Sequence, residues 1–491
     1  MNVVLWILGA VLALLVVLVA VVLVRSFSFK APTRADASLP DRQPQAMSPE
    51  ALQRLQAAIR IPTVSFTEYE TMDFEAFRAF KTLLRESFPL FHQTTSLEEI
   101  NEFGLVYRWQ GSDAGLAPMA FMAHYDVVPV EPGTEDDWLQ PPFSGAIADG
   151  EIWGRGSLDI KSQLLAYLEA AEKLIGAGFV PSRDLYFCFG HDEEVGGHVA
   201  ASPIVECLQA RGIAFESVLD EGGLVITGAM KGIERPLGLI GIAEKGHVDY
   251  MISVFGEGGH SSMPPRHSAL GLASRLVVAI EDHPMPLRLT PSVEAMLRNI
   301  AGELGFPLRM AISNLWLFRP LLLNILSKDP TTNALVRSTC AATMAQASNA
   351  HNVLPQVASV NINVRLLPGD SSADVLAHIE RLAARLGIER FKIELAMCNE
   401  ASETSEIGTP FLKTLTQLLL EFYPSALVTP YLVMGGTDAR YYSALSSQVY
   451  RLTPTHITDK QRDLVHNSNE RLDLANYFRM IEFYERLFQI I

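Results

Sequence analysis

Two adjacent carboxylates, Glu193 and Glu194, follow the run Asp184-Leu185-Tyr186-Phe187-Cys188-Phe189 and precede Val195-Gly196-Gly197. The aromatic run predicts a short buried strand, and the glycines predict a turn at its end. Side-by-side carboxylates repel each other unless positive charge lies beside them. A metal ion supplies that charge and lets the pair divide its work, one carboxylate ligating while its neighbour moves protons. A solvated acidic turn is the plain alternative, so the rest of the chain has to decide.

Other residues of metal-binding type stand at comparable places. Met119 to Ala123 predicts a strand running into His124-Tyr125-Asp126. Asp126 can there hold the second ring nitrogen of His124, a common support for a zinc-bound histidine. The glycine-flanked loop Gly154-Arg155-Gly156-Ser157-Leu158-Asp159 leads into a helix expected from Lys161 to Ile175. By itself, Asp159 reads as an ordinary helix N-cap. The strand Phe215 to Leu219 ends in Asp220-Glu221-Gly222-Gly223, repeating the pattern of strand, acidic pair and glycine pair. Three strand–helix units thus bring carboxylates to one edge of a mainly parallel sheet, where open α/β folds gather their ligands. His466, in His466-Asn467-Ser468-Asn469-Glu470, adds a second histidine. His124, Asp159, Glu193, Glu194, Asp220 and His466 are the right types for two zinc ions about 3.5–4 Å apart, bridged by one carboxylate. Cobalt or manganese also suits so carboxylate-rich a set. No His-Glu-x-x-His is present, which disfavours a one-zinc site of that kind.

The elements that must position these groups come from a chain of 491 residues, 48% hydrophobic, with a net charge of -16. That length supports two or three domains, and the absence of a basic stripe argues against a nucleic-acid partner. Cys188, Cys207, Cys340 and Cys398 fall in no Cys-x-x-Cys spacing and read as free thiols. Val3 to Val24 is continuously apolar, long enough for a hydrocarbon core of about 30 Å. A cleaved signal peptide competes with this reading. The length of the run and the lack of a small-x-small cleavage site favour a single-pass membrane anchor. Arg25, Lys30 and Arg34 follow the span, which by the positive-inside tendency places the body in the cytoplasm. Asp36 and Asp41 oppose that, and the side of the membrane is left open.

The expected organisation is an anchor over 1–30, a tether over 31–48 and the first part of an α/β catalytic domain over 49–243. An inserted α+β domain follows over 244–398, and the catalytic domain resumes over 399–491. In the insert, Val248 to Val254 alternates as a half-buried strand and Gly259-His260-Ser261-Ser262 follows. Val293 to Leu326 reads as mostly helical, interrupted at Pro307 and Pro320.

The chain resembles the zinc aminoacylase/carboxypeptidase family, which includes succinyl-diaminopimelate desuccinylase, glutamate carboxypeptidases, vacuolar carboxypeptidase S and the N-fatty-acyl-amino-acid hydrolase/synthase. His124-Tyr125-Asp126, Gly154 to Lys161 and Glu193 to Gly197 carry the likeness, with Gly259 to Ser262 and Asn363 to Gly369 in the insert. Asp220 to Gly223 and the segment around Asn314 to Pro320 look most like the carboxypeptidase S branch. The resemblance implies a dizinc catalytic domain with a mixed, mainly parallel sheet and helices on both faces, interrupted by a lid of dimerisation type. It implies that His124 and Asp220 hold one zinc, Glu194 and His466 the other, with Asp159 bridging; Glu221 is the alternative to Asp220. Glu193 is then the general base, and Asp126 orients His124. His260 steadies the oxyanion, Arg365 binds the substrate's carboxylate, Asn352 adds a contact, and Gly435 and Gly436 line the pocket wall. The implied reaction is hydrolysis of a peptide or N-acyl amide bond next to a free carboxylate. The implied substrate is a small peptide or an N-acyl amino acid, and a dimer through the lid is possible. An aminopeptidase-type dizinc peptidase and an inactive binding protein on the same fold are the alternatives.

Overall fold

The computed structural model describes residues 2–30, 40–230 and 232–491. The expected tether over 31–48 therefore lies outside the described residues over 31–39. Asn2–Ser28 forms one helix, α1, long and apolar enough to cross a membrane. The chain divides into two compact units. The larger comprises Ala31–Ile242, Ser405–Tyr431 and Thr437–Ile491; the other comprises Met1–Lys30, Ala243–Thr404 and Leu432–Gly436.

At the centre of the larger unit's mixed ten-stranded sheet, Met119–His124 (β1) lies between Leu185–Gly190 (β2) and Ser217–Asp220 (β3). All three run parallel, with Phe121 opposite both Phe187 and Leu219, and His124 opposite Gly190. Every residue of the three strands is buried, as expected of parallel strands covered on both faces. This register aligns the carboxyl ends of β2, β1 and β3, so the segments beginning at Tyr125, His191 and Glu221 leave from one edge. Lys161–Gly176 (α2) covers the sheet with the last helix, Leu474–Ile490. Tyr167 meets Tyr484 at 4.2 Å between ring centroids, and Phe121 meets Phe488 at 4.9 Å.

From Arg42 onward the segment before the first helix of this unit is bound to the body and is not a free tether. The Arg42 guanidinium lies 4.7 Å from the Phe422 ring centroid and 3.1 Å from Glu421 Oε1. Its backbone N–H donates to Phe422 O at 2.9 Å, and its carbonyl accepts from Arg479 Nε at 2.7 Å. Composition alone suggested a linker, but the stacked guanidinium, its ion pair and two backbone hydrogen bonds together dock it.

In the second unit, Gly246–Phe255 (β4), Thr339–Gln346 (β5), Val357–Leu366 (β6) and Phe391–Asn399 (β7) form an antiparallel sheet ordered β5-β6-β4-β7. Burial alternates strictly along β4, with the period of a sheet packed on one face. Val248, Tyr250, Ile252 and Val254 join Val360, Ile362 and Val364 in a core closed by helices. Ala269–Asp282 (α3) and Ser372–Arg385 (α6) supply Leu276, Ile280, Ile379 and Leu382 to that core, whereas Phe306–Ser313 (α4) and Leu315–Leu326 (α5) lie outside it. Pro307 starts α4 as expected, but Pro320 lies inside α5 and does not end it. Proline there forfeits the bond to the carbonyl four residues back, and the largely apolar helix continues for another turn and a half.

Arg42→Ala should lower the thermal midpoint of the full chain by about 2–4 °C, the effect of roughly 1 kcal/mol in a unit of this size. It should also make the 40–48 segment the first site of limited proteolysis. An unchanged cleavage pattern would show that the segment is held by other contacts.

Candidate metal centre

His124 ends β1, and Glu193 and Glu194 sit in the short turn after β2. Glu221 follows β3, and Asp159 stands just before α2. The side chain of Asp159 divides its two oxygens: Oδ1 lies 3.2 Å from His124 Nε2, and Oδ2 lies 3.1 Å from His466 Nε2. Glu194 Oε2 is 3.0 Å from His466 Nε2. Glu221 Oε1 is 3.2 Å from His124 Nε2, while Glu193 Oε2 stands further off at 4.0 Å. Asp159 is no helix cap: the cap position is Ile160, without a side-chain cap bond.

The reading of Asp220 as the partner of His124 is corrected here. Asp220 Oδ2 accepts from the backbone N–H of Ala439 at 2.9 Å, and Glu221 approaches His124 in its place. Successive side chains of an extended segment point to opposite sides, so only one member of the Asp220-Glu221 pair faces the histidine.

The surrounding network explains why these groups hold still. Asp126 Oδ1 lies 3.3 Å from His124 Nδ1, where the sequence puts a supporting carboxylate. The same carboxylate accepts from the backbone N–H groups of Glu193 and Glu194, each at 3.2 Å, and from Ser65 Oγ at 2.7 Å. Asp126 therefore fixes the acidic turn as well as the imidazole. Glu470, fully buried, does the same for the Asp159 loop. Its Oε1 accepts from Gly156 N at 2.9 Å, Leu158 N at 2.9 Å and Asp159 N at 3.2 Å, and Arg155 donates to Oε2 at 2.8 Å. Sequence reasoning quoted Glu470 in its motif without assigning it work; four residues after a candidate histidine was the available signal.

The electrostatics show what the cluster lacks when only protons are available. Burial, then the charges of neighbouring carboxylates, pushes Glu193 well above its usual range, although His124 counters part of it. Burial, then Asp159, raises Glu221 to about 8 and also raises Glu194. His124 is raised well above the normal imidazole range: burial opposes this, but the charge of Glu221 and bonds to Asp126 and Asp159 prevail. Hydrogen bonds to Asp159 and Glu194 raise His466 to about 10. Burial favours a protonated Asp159, yet the two histidines hold it well below the usual carboxylate range. Protons are thus drawn to the histidines and glutamates alike, the response of a buried site with too much negative charge. Divalent cations in their place answer the same field. Glu194 Oε1 is also buried without a hydrogen-bond partner among the described residues. His124 forms three-residue ligand groupings with Glu193 and Glu221 and with Asp159 and Glu194. Donor chemistry, the orphaned oxygen and the excess charge all fit bound metal.

The remaining candidates lie in the second unit, except Asp126. His260, on the short strand Gly259–His260, pairs with Val353, and its Nδ1 lies 2.8 Å from Ser262 Oγ. Ser261 N donates to Asn352 O at 3.1 Å, so the His260 and Asn352 loops are joined. Arg365 lies on β6 opposite His247 of β4, and burial lowers its guanidinium pKa against the charge of Asp249. Gly435 and Gly436 follow the strand Leu427–Val433, and a Cβ at Gly435 would meet nothing within 4 Å.

Three parallel strand ends, a loop before a helix and the separate His466 segment, carrying two histidines and the carboxylates around Asp159, define a metallohydrolase with a paired metal site. The chain belongs to peptidase family M20/M25/M40, whose sequence profile matches residues 120–490. It is 37% identical over 443 residues to a carboxypeptidase S-like protein of Dictyostelium discoideum, covering 89% of this chain and 84% of that one. It is 34% identical over 494 residues to the N-fatty-acyl-amino acid synthase/hydrolase PM20D1 of Xenopus tropicalis, covering 98% of this chain and 94% of the relative. In fold it is similar to the M20 family metallo-carboxypeptidase Sso-CP2 from Sulfolobus solfataricus, with a TM-score of 0.66 at 18% identity. That likeness covers 90% of this chain and 99% of the other.

Metal analysis distinguishes the adjacent acids. Glu221→Gln should lose about one of two bound metal equivalents, because a coordinated carboxylate oxygen is replaced by a weak ligand. Asp220→Asn should keep both. The reverse result would return Asp220 to the ligand set.

Proposed function

We propose that this M20 enzyme uses two divalent ions, zinc or, with the same donors, cobalt or manganese, to hydrolyse an amide bond next to a free carboxylate. The observation that carries this reading is the divided carboxylate of Asp159, with one oxygen toward each histidine. His124 and Glu221 would complete one metal position, and Glu194 and His466 the other. The metal pair, when bound, polarises the scissile carbonyl and lowers the pKa of water. Glu193 is the proposed proton carrier. It sits beside His124 but further from it than Glu221, so it would stay outside the ligand set and could take the proton of water and return it to the leaving amine. Asp126 holds the His124 ring and the backbone of Glu193 still through that transfer. Asp159 owes its place to Glu470.

Substrate recognition is assigned to the second unit. Arg365 is proposed to pair with the substrate's carboxylate through two parallel hydrogen bonds. His260 is proposed to stabilise the developing oxyanion, with Asn352, Gly435 and Gly436 contacting substrate. Both named relatives, a carboxypeptidase S-like protein and an N-fatty-acyl-amino acid synthase/hydrolase, suit a substrate with a free carboxylate. The substrate is accordingly a small peptide or an N-acyl amino acid. α1 is proposed to remain as a membrane anchor. What supports this reading is one face of its last turns packed on the second unit, with Val22 6% and Ser26 1% exposed.

Glu193→Gln should retain two metal equivalents and reduce turnover by at least about 10²–10⁴-fold. Loss of metal, with Glu194→Gln harmless, would exchange the two roles. Arg365→Ala should reduce kcat/KM for an N-acyl amino acid about 10–100-fold more than for its amide, with metal content unchanged. Equal losses on acid and amide would remove Arg365 as the carboxylate anchor and advance an aminopeptidase-type reading.

A further inference from the structure

Within the second unit the apolar span does not simply end in a linker. Over Val3 to Val21 α1 exposes nearly every large side chain; beyond it Val22 and Ser26 are buried on one face, while Leu23, Val24 and Phe27 remain exposed. Asn314, at the corner between α4 and α5, donates Nδ2 to Val22 O at 3.2 Å and to Ser26 Oγ at 3.1 Å. Ser313 Oγ lies 3.3 Å from Ser26 Oγ, Arg25 Nε donates to Ser313 O at 3.4 Å, and the Phe27 and Phe306 rings stand 5.3 Å apart. Val3 to Val22 rises about 30 Å, the thickness of a hydrocarbon core. The corner therefore meets α1 where the hydrocarbon ends, and its hydroxyl and amide groups are of the kind that suits an interface.

α5 leaves from that corner with an unusual surface. Its exposed large side chains are Trp316 at 57%, Leu317 at 38%, Leu321 at 52% and Ile325 at 39%. Leu321 follows the adjacent pair Trp316 and Leu317 by five and four residues and Ile325 follows Leu321 by four, so with Pro320 they share one side of the helix. No charged residue lies on the stripe. Arg319, to its side, is held at 3.0 Å by Glu294. The opposite side carries the buried Leu315 and Leu322. Twelve residues reach about 18 Å, too short to cross a bilayer. A short helix with one uncharged, mainly apolar face, interrupted only by Asn324, and an exposed Trp has the form of an interfacial helix.

We propose that α5 lies flat in the headgroup–acyl boundary of the bilayer that α1 crosses, with Trp316, Leu317, Leu321 and Ile325 among the lipid chains. The occupant is lipid because the corner that starts α5 is bonded to α1 at Val22 and Ser26, the end of the apolar span. This rests on the reading of α1 as a retained anchor. The second unit is then held to the membrane at two places, a crossing helix and a surface helix, and α5 fixes its tilt.

The full chain in vesicles of phosphatidylcholine tests this. A polarity-sensitive fluorophore is placed at Leu321→Cys or Ile325→Cys in a Cys398→Ser background, since Cys398 is the exposed native thiol. A label at Met344→Cys on β5, 65% exposed, serves as the reference. Both α5 labels should be quenched severalfold more by lipids carrying a nitroxide near the glycerol than by aqueous iodide, and the Met344 label should show the opposite order. Iodide quenching at both α5 positions equal to that at Met344, in protein that resists alkaline carbonate extraction, overturns the placement of α5 and leaves the anchor standing. Release by carbonate overturns the anchor reading and the placement with it. Shielding from both quenchers that grows with protein-to-lipid ratio overturns the proposal in favour of a second copy covering the stripe.

Discussion

Asp159 offers one oxygen to His124 and the other to His466, and the rest of the centre is arranged around that division. Glu193, Glu194, Asp159 and Glu221 are crowded into a buried space where like charges oppose one another. Two histidines drawn strongly toward the protonated state offset only part of that field. Such a cluster is costly to fold around protons alone, because a buried, uncompensated charge is among the most expensive features a protein can hold. Divalent cations turn the same arrangement into a stable and useful one.

Crowding of this kind demands rigid support, and the support comes from buried acids that do not themselves face the metal positions. Asp126 and Glu470 each accept several hydrogen bonds, mostly from backbone N–H groups. These bonds order the loops that donate them and favour the ionised form, which holds Asp126 low, although burial raises Glu470 to about 7. Asp126 ties the end of β1 to the turn after β2, and Glu470 ties the His466 segment to the loop before α2. Four of the five pieces of chain that bring the candidate ligands, all but the Glu221 segment, are thus joined pairwise by two acids.

The second unit solves a different problem. Its sheet presents one face to α3 and α6 through the alternation of β4 and β6, an arrangement stable on its own terms. α4 and α5 add apolar surface that this core does not use. Asn314 and Ser313 spend their hydrogen bonds on α1, so the apolar N-terminal helix is part of this unit's packing.

Much of the centre was legible in the chain. The aromatic and aliphatic runs before His124, Glu193 and Asp220 marked three buried strands, because parallel strands covered on both faces must be apolar throughout, and polar residues at their ends then stand out. The half-buried strand at Val248 to Val254 was equally plain from its period of two. Other features depended on distances that no local pattern records. Asp220 and Glu221 are chemically alike and adjacent, and only the direction in which the chain leaves β3 decides which one meets His124. Arg42 sits in a stretch of linker composition and becomes fixed only because Phe422 and Glu421, distant in sequence, come beneath it. Glu470 gains its role from folding back onto the Asp159 loop, more than three hundred residues earlier in the chain. Residue type and period identified the chemistry and the strands, which are local properties; the partner of each charged group was decided by tertiary structure, because burial and hydrogen bonding join segments whose sequences carry no mark of one another.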